Sequence, residues 1–394
     1  MEKKKSVYLD NASATAISGE VYRDMIDAYG KLYASSSALH SLGQQSHEAL
    51  ELAREKVAKA IGASANEIYF TSGSAESNNW AIKGLAHANR HKGNHIITSM
   101  VEHPSVLQSC KALEQEGYRV TYVPVDEFGV VKYAEIIKAM GPDTILISIM
   151  TANNEVGTIQ PVRAIAELAR ANEVIFHTDA VDAIGAVELN VKEMKIDALS
   201  LSGHNIYAPQ GTGALYIRKG VQITKFLDGD HNENGMRAGN VNVPAIVGFG
   251  KAVEKITENI EENNKYIRSV RRYFLKSVSE RIHNVSLNGH PTQRIAGNAN
   301  ISFEGAEGEA VVLMLNREGI SVSTSSACAS PTLQPNHVLR AMGKEEEAAT
   351  SLRFTFGLTN TKEDVDYTVN KLQKAVKKIR SISAIRIYKN KVEL

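Results

Sequence analysis

Ala198-Leu-Ser-Leu-Ser-Gly-His204-Asn205-Ile-Tyr-Ala-Pro-Gln-Gly-Thr-Gly-Ala-Leu-Tyr-Ile-Arg218 is the stretch on which the fold turns. Its last part, Gly213-Ala-Leu-Tyr-Ile, reads as a strand. Outward from it the same kind of run recurs as Ile68-Tyr-Phe, His95-Ile-Ile-Thr, Arg119-Val-Thr-Tyr-Val, Thr144-Ile-Leu-Ile-Ser-Ile and Val174-Ile-Phe-His. Helical patterns such as Glu48 to Ile61 and Val162 to Ala171 fall between these runs. Strands that alternate with helices predict an α/β fold with a mostly parallel sheet covered on both faces.

After Pro244 the character changes. One amphipathic, charge-rich helix from about Gly250 to Val278 is expected to bridge into a second unit. Asn300-Ile-Ser-Phe, Ser351-Leu-Arg-Phe-Thr-Phe and a helix from about Lys362 to Ile379 complete that unit. The expected division is a large domain over residues 15–255 and a small domain made of 1–14 and 256–394. The tail from Ser381 to Leu394 has no clear period and is expected as a surface strand or ordered arm.

Bulk composition narrows the function classes. The chain has 394 residues, 43% hydrophobic and 23% charged, as in ordinary globular proteins. A net charge of +1 gives no field that would draw nucleic acid or a membrane surface. Lys3, Lys4 and Lys5 read as a solvated tail, and no long apolar run follows them, so neither a signal peptide nor a membrane span is expected. Two cysteines, Cys110 and Cys328, make no disulfide framework and fit a reducing, cytoplasmic setting. Cys110 shares a helix face with Leu107 and Leu113 and is expected to be buried.

Several short motifs carry chemistry. Thr71-Ser-Gly-Ser-Ala-Glu-Ser-Asn-Asn79 follows a strand and opens a helix, which makes it either a phosphate cradle or an ordinary helix cap. Asp179, in His177-Thr-Asp-Ala-Val-Asp182, ends a buried strand, where a sheet of this kind places its ligand crevice. His103 follows a strand in Val101-Glu-His-Pro and is either structural or functional. Arg353 is either a surface ion-pair partner or a carboxylate clamp, for which a guanidinium fork is suited. Cys328 lies in a run of small polar residues without apolar period, which reads as an exposed loop. Asp228-Gly-Asp-His-Asn begins like a calcium loop but has Glu233 where glycine is needed and Gly239 where a bidentate glutamate belongs, so no metal is expected.

Taken in order, from Tyr8-Leu-Asp-Asn11 to the region of Asp364, these motifs closely resemble the cysteine desulfurases, members of the class V (fold type I) pyridoxal-phosphate enzymes. The resemblance implies a fold type I PLP-transferase architecture, with a seven-stranded, mostly parallel sheet and a smaller α+β domain carrying the Cys328 loop. It implies a homodimer, L-cysteine as substrate, and a sulfur acceptor or iron–sulfur scaffold as partner. By the same resemblance His103 stacks on the cofactor ring and relays protons, Asp179 pairs with the pyridinium nitrogen, and Asn154 and Arg353 bind substrate. Ser74, Ser202 and His204 lie at the phosphate, and the thiolate of Cys328 accepts sulfur as a persulfide.

The departures cluster in one pocket. In the family a lysine follows the histidine and holds pyridoxal phosphate as a Schiff base; here Asn205 stands there. An amide nitrogen shares its lone pair with its carbonyl, so it forms no imine. Ala75 and Asn240 stand where phosphate-binding threonines are usual, the second reaching the other subunit's site. Asp182 replaces a glutamine that donates to the ring's phenolic oxygen; an ionised aspartate cannot donate and would set like charges side by side. Each lost hydroxyl contact removes about 1.5–3 kcal/mol, so two weaken binding by roughly two to four decades.

Pyridoxal phosphate is therefore expected without a covalent anchor, or not at all, and the family's usual activity is expected to be lost or very weak. The expected function is sulfur mobilisation in iron–sulfur assembly through Cys328. The alternatives are an active desulfurase with weak, non-covalent cofactor, and a non-catalytic dimer partner or binding module.

Overall fold

The structure, a computed structural model, describes residues 5–324, 336–382 and 392–393. Its centre is a seven-stranded sheet. In spatial order the strands are Ile68–Thr71, Gly213–Ile217, Ala198–Ser202, Ile175–Asp179, Thr144–Ser148, His95–Ser99 and Arg119–Val123. All pairings are parallel except the two made by Gly213–Ile217, which runs against both neighbours.

Both faces of the sheet are covered, and the side-chain period of two decides which residue faces where. Ile97, Ile147 and Leu199 enter a core shared with Val57, Ile165 and Phe249. Their chain neighbours Ile96, Leu146 and Ala198 enter the opposite core with Trp80, Leu85 and Leu113. Cys110 is fully buried in that second core, where burial pushes its thiol up to about 12.

Ala198–Ser202 is absent from the six runs read out of the sequence. Its polar residues explain this: Ser200 is fully buried, and its hydroxyl meets His177 Nε2 at 3.0 Å. His177 Nδ1 in turn lies 2.8 Å from Ser148 Oγ on the next strand. A hydrogen-bonded row across three strands lets polar residues occupy a core that hydropathy alone would deny them.

The bridging helix is in fact two helices. Val243–Glu258 and Ile260–Arg281 meet at Asn259, whose φ of −123° and ψ of 33° leave the helical region. The first buries Phe249, Val253 and Ile256 against the large sheet, whereas the second buries Val270, Phe274 and Val278 in a separate core. One non-helical residue re-aims the chain without interrupting the polar pattern, which is why periodicity reads it as a single helix.

That separate core surrounds a five-stranded sheet with the spatial order Ser323–Thr324, Ser351–Thr355, Asn298–Phe303, Val285–Asn288 and Val392–Glu393. Near the N-terminus, Val7–Tyr8 pairs in parallel with Ile320–Ser321. Among the described residues no helix is long and apolar enough to cross a membrane.

Candidate active site

One cleft gathers most of the residues singled out by sequence. His103, Asn154, Asp179, Asp182, His204, Asn205, Ser74 and Arg353 line about 720 Å³ of open space at the carboxyl ends of the parallel strands. Asn240 is exposed and does not line it. Cys328 lies outside the described residues.

One end of the cleft is a helix N-terminus. Helix Ser74–Asn89 starts directly after Gly73, and no side chain caps it. A Cβ on Gly73 would meet nothing within 4 Å, so its φ of +147°, not crowding, calls for glycine there. Crowding acts instead on Gly213, where a Cβ would come within 2.7 Å of Gly73 Cα. The open N–H groups of this turn suit an anion. Ala75 brings no hydroxyl to it. Ser202 Oγ and His204 Nδ1, 2.7 Å apart, stand beside it. Burial and then His103 lower the His204 pKa. Glu76 would repel an anion, but Arg237 Nε donates to it at 2.5 Å. This bond and those from Ser72 outweigh burial and lower the Glu76 pKa.

The middle of the cleft is a relay of hydrogen bonds. His103 caps helix Pro104–Gln115, and its Nδ1 lies 2.7 Å from Ser105 Oγ. Asn78 Nδ2 donates to Ser105 Oγ at 2.9 Å and to Asp179 Oδ2 at 2.7 Å. Val181 N–H donates to the other oxygen of Asp179 at 3.0 Å. Asp179 is thus held at both carboxylate oxygens. Asn78 was not singled out from sequence, although it stands in the quoted turn; its burial shows only in the structure.

Asp182 is the unsupported group of the site. Among the described residues no hydrogen bond reaches its carboxylate, although it lines both this cleft and a second, largely apolar cavity of about 630 Å³. Burial first, then Asp179, push its carboxyl up to about 7 against the pull of Arg353. The sequence-based expectation of an ionised Asp182 beside Asp179 is therefore corrected. Near neutral pH a share of Asp182 keeps its proton, avoids the like charge and can donate.

The sign of the resulting pH dependence follows from linkage. An aspartate raised from about 3.9 to about 7 favours the folded state fully below its unfolded pKa. That contribution disappears as pH rises through 7. Asp182→Asn is expected to match the native chain near pH 4 and to exceed its stability by about 1–3 kcal/mol at pH 8, as read from denaturant midpoints. An unchanged difference between the two pH values would refute this.

At the far end, Arg353 Nη1 donates to Glu155 at 2.7 Å, and Nη2 donates to Asp10 at 3.1 Å and Ser13 at 2.8 Å. Burial opposes its charge, yet Glu155 and Asp10 hold its pKa above the usual value. Its Nε is buried with no acceptor in reach among the described residues. Glu155, which sequence reading passed over, also accepts from Asn336 Nδ2 at 3.1 Å. The turn carrying Asn154 and Glu155 is held from the second sheet, where Asn298 Nδ2 donates to both backbone carbonyls at 3.1 Å.

Asn205 sits between these ends. Thr15 ties the N-terminal segment to this turn through His204 O and Tyr207 N. That segment presents Ala12 O, to which Asn205 Nδ2 donates at 2.9 Å. Asn205 Oδ1 is buried with no donor among the described residues. Pyridoxal phosphate therefore finds a fit for its phosphate and ring nitrogen here. It finds no amine for its aldehyde carbon.

Comparison with known proteins agrees with this geometry. Residues 7–368 match the aminotransferase class-V family model. The chain is 50% identical over 384 residues to a cysteine desulfurase IscS of Methanosarcina thermophila, covering 97% of this chain and 95% of that one. It is 47% identical over 381 residues to a cysteine desulfurase IscS of Dictyoglomus turgidum, covering 96% and 97%. Among solved structures, a NifS-like protein superposes with a TM-score of 0.90 at 36% identity, over 95% of this chain and 100% of the other. A structure described as SspA in complex with cysteine gives 0.81 at 34% identity, over 90% and 100%. With the sheet, the cleft and these relatives in agreement, the chain belongs to the aminotransferase class-V family.

Proposed function

We propose that this protein is a cysteine desulfurase-like sulfur carrier for iron–sulfur assembly, working through Cys328 beside a cofactor site without covalent attachment. In this reading Asn205 stands where active relatives carry the cofactor lysine, and Asn154 and Arg353 bind the carboxylate end of L-cysteine. When bound, pyridoxal phosphate would supply an electron sink, with Asp179 facing its ring nitrogen and the Gly73–Ala75 turn its phosphate. The chain's own residues would orient the amino acid at Arg353, hold Asp179 in place through Asn78, and set His103 as proton carrier. One observation carries the proposal: Arg353, Asn154 and His103 share a cleft with Asn205, whose amide nitrogen donates to Ala12 O.

A second reading, a desulfurase using weakly held cofactor, is favoured by the uncapped helix at Gly73 and the Asn78-held Asp179. A homodimer is part of both readings. It is supported by the exposed row Tyr22, Ile26 and Tyr29 on helix Gly19–Lys31, an unusual face to leave in water.

Cys328→Ser tests the main proposal. Native protein loaded as a persulfide with a polysulfide donor, whose S–S bond the Cys328 thiolate cleaves with release of the shortened thiolate, is expected to pass that sulfur to a thiol acceptor, and Cys328→Ser is expected to pass none. Equal transfer by both chains, followed by mass spectrometry of the acceptor, would sink the proposal.

A further inference from the structure

Arg353 reaches the cleft with donors that are already in use. Its Nη1 donates to Glu155, and its Nη2 donates to Asp10 and to Ser13 Oγ. A terminal guanidinium nitrogen carries two N–H groups, so Nη2 is filled. Nε is buried and offers the cleft no second edge. Of these acceptors only Ser13 lines the cleft, and its side chain is exposed there. A turn holds it in place, since Ser13 N–H donates to Asp10 O at 3.1 Å. Its Oγ donates to Asp10 Oδ1 at 2.9 Å. The single hydroxyl proton is thus committed to Asp10, and the oxygen turns lone pairs to Arg353 and to the cleft.

A ligand carboxylate forks onto a guanidinium through two parallel bonds, one from each terminal nitrogen. It must therefore take an N–H of Nη2 from Asp10 or from Ser13. Asp10 is a carboxylate and makes the stronger, charge-assisted bond; Ser13 is a neutral hydroxyl and stands on the cleft side. We infer that Ser13 is a placeholder on Arg353, its hydroxyl occupying the position that one carboxylate oxygen of an amino-acid ligand takes, so that the ligand binds by displacing it. Ser13 thereby lowers the affinity of the cleft for carboxylates. With alanine at this position the N–H is left to an untethered water, which departs more readily than a hydroxyl fixed by its own backbone. The inference rests on reading Arg353 as the residue that binds the carboxylate end of L-cysteine, but it needs neither Cys328 nor the cofactor.

The test is a ligand-observed NMR titration of the full chain with L-cysteine and with cysteamine, which lacks the carboxylate, both under reducing conditions without added cofactor. Ser13→Ala is expected to bind L-cysteine about fivefold tighter than the native chain and to leave cysteamine unchanged. Ser13→Thr keeps the hydroxyl and is expected to match the native chain. Arg353→Lys keeps the charge but loses the fork, and is expected to bind L-cysteine at least about tenfold more weakly. Circular dichroism and melting curves establish that the variants fold.

Unchanged or weaker binding of L-cysteine by Ser13→Ala overturns the inference, because a hydroxyl that helps to hold the carboxylate gives that sign. Equal tightening toward cysteamine overturns it as well, since the effect would then owe nothing to the carboxylate. If Arg353→Lys loses L-cysteine while Ser13→Ala gains nothing, only the placeholder falls and Arg353 keeps its role. If Arg353→Lys binds L-cysteine as the native chain does, or if no chain binds it, the reading of Arg353 falls and the inference with it.

Discussion

Asn205→Lys is expected to restore covalent capture of pyridoxal phosphate. A visible absorbance band and a mass adduct that survives borohydride reduction should appear in the variant and not in the native chain. The side chain at 205 already lines the cleft, and its only polar commitment is the 2.9 Å bond to Ala12 O. Asp179 is held by Asn78, and the first turn of helix Ser74–Asn89 has no side-chain cap, the two places that the proposed function gives to the ring nitrogen and the phosphate. A lysine amine would therefore meet a cofactor that has two fixed handles. A positioned base supplies about 10²–10⁴-fold in rate, so release of alanine from L-cysteine should rise by that order over the native background. A variant that folds but shows neither band nor adduct would mean that Ala75, Asp182 and Asn240 weaken the site independently of residue 205. Adding Ala75→Thr and Asn240→Thr would then be expected to recover binding by about one to two decades each.

Glu233→Ala is expected to cost about 3–5 kcal/mol of stability, because it strands a buried cation. Arg54 and Glu233 form a bidentate pair, both bonds 2.8 Å, with side chains 7% and 1% exposed. Arg54 also donates to Ile68 O at 2.7 Å, and Glu233 accepts from Phe70 N–H at 2.7 Å. The guanidinium further stacks 4.6 Å above the Phe70 ring. The pair thus pins the 228–240 loop to helix Ser41–Ala60 and strand Ile68–Thr71. Glu233 keeps this role at a φ of +48°, a conformation that favours glycine. Its carboxylate points inward to Arg54, which accounts for a glutamate where a calcium loop needs glycine. Urea midpoints of Glu233→Ala and Glu233→Gln check the expectation, and the amide should lose less because it keeps hydrogen-bonding capacity. A loss below about 1 kcal/mol for the alanine variant, typical of an exposed pair, would show that water reaches Arg54.

Much of the fold was legible because most of its central strands are apolar runs buried on both faces. Six of the seven central strands were readable as such runs. Ala198–Ser202 was not, since its serines look exposed until His177 and Ser148 are brought alongside them. The break at Asn259 was hidden for a different reason: two helices can carry one continuous polarity pattern while burying their faces in different cores. At the site, recurring motifs identified the residues that approach one cleft. They did not reveal Asn78 or Glu155, whose importance lies in what they bind across 101 and 198 residues of chain.

Sequence by itself determined the class of fold, the family resemblance and the chemical fact that an amide occupies position 205. These are local properties, set by side-chain type and period along the chain. Only the tertiary structure decided that the Asn205 amide donates to Ala12 O, that Asp182 faces the cleft with no donor among the described residues and with its carboxyl pushed up to about 7, and that Arg353 is already shared between Glu155 and Asp10. Protonation, hydrogen-bond satisfaction and charge balance depend on neighbours far away in the chain, and the packing of the two sheets is what supplies those neighbours.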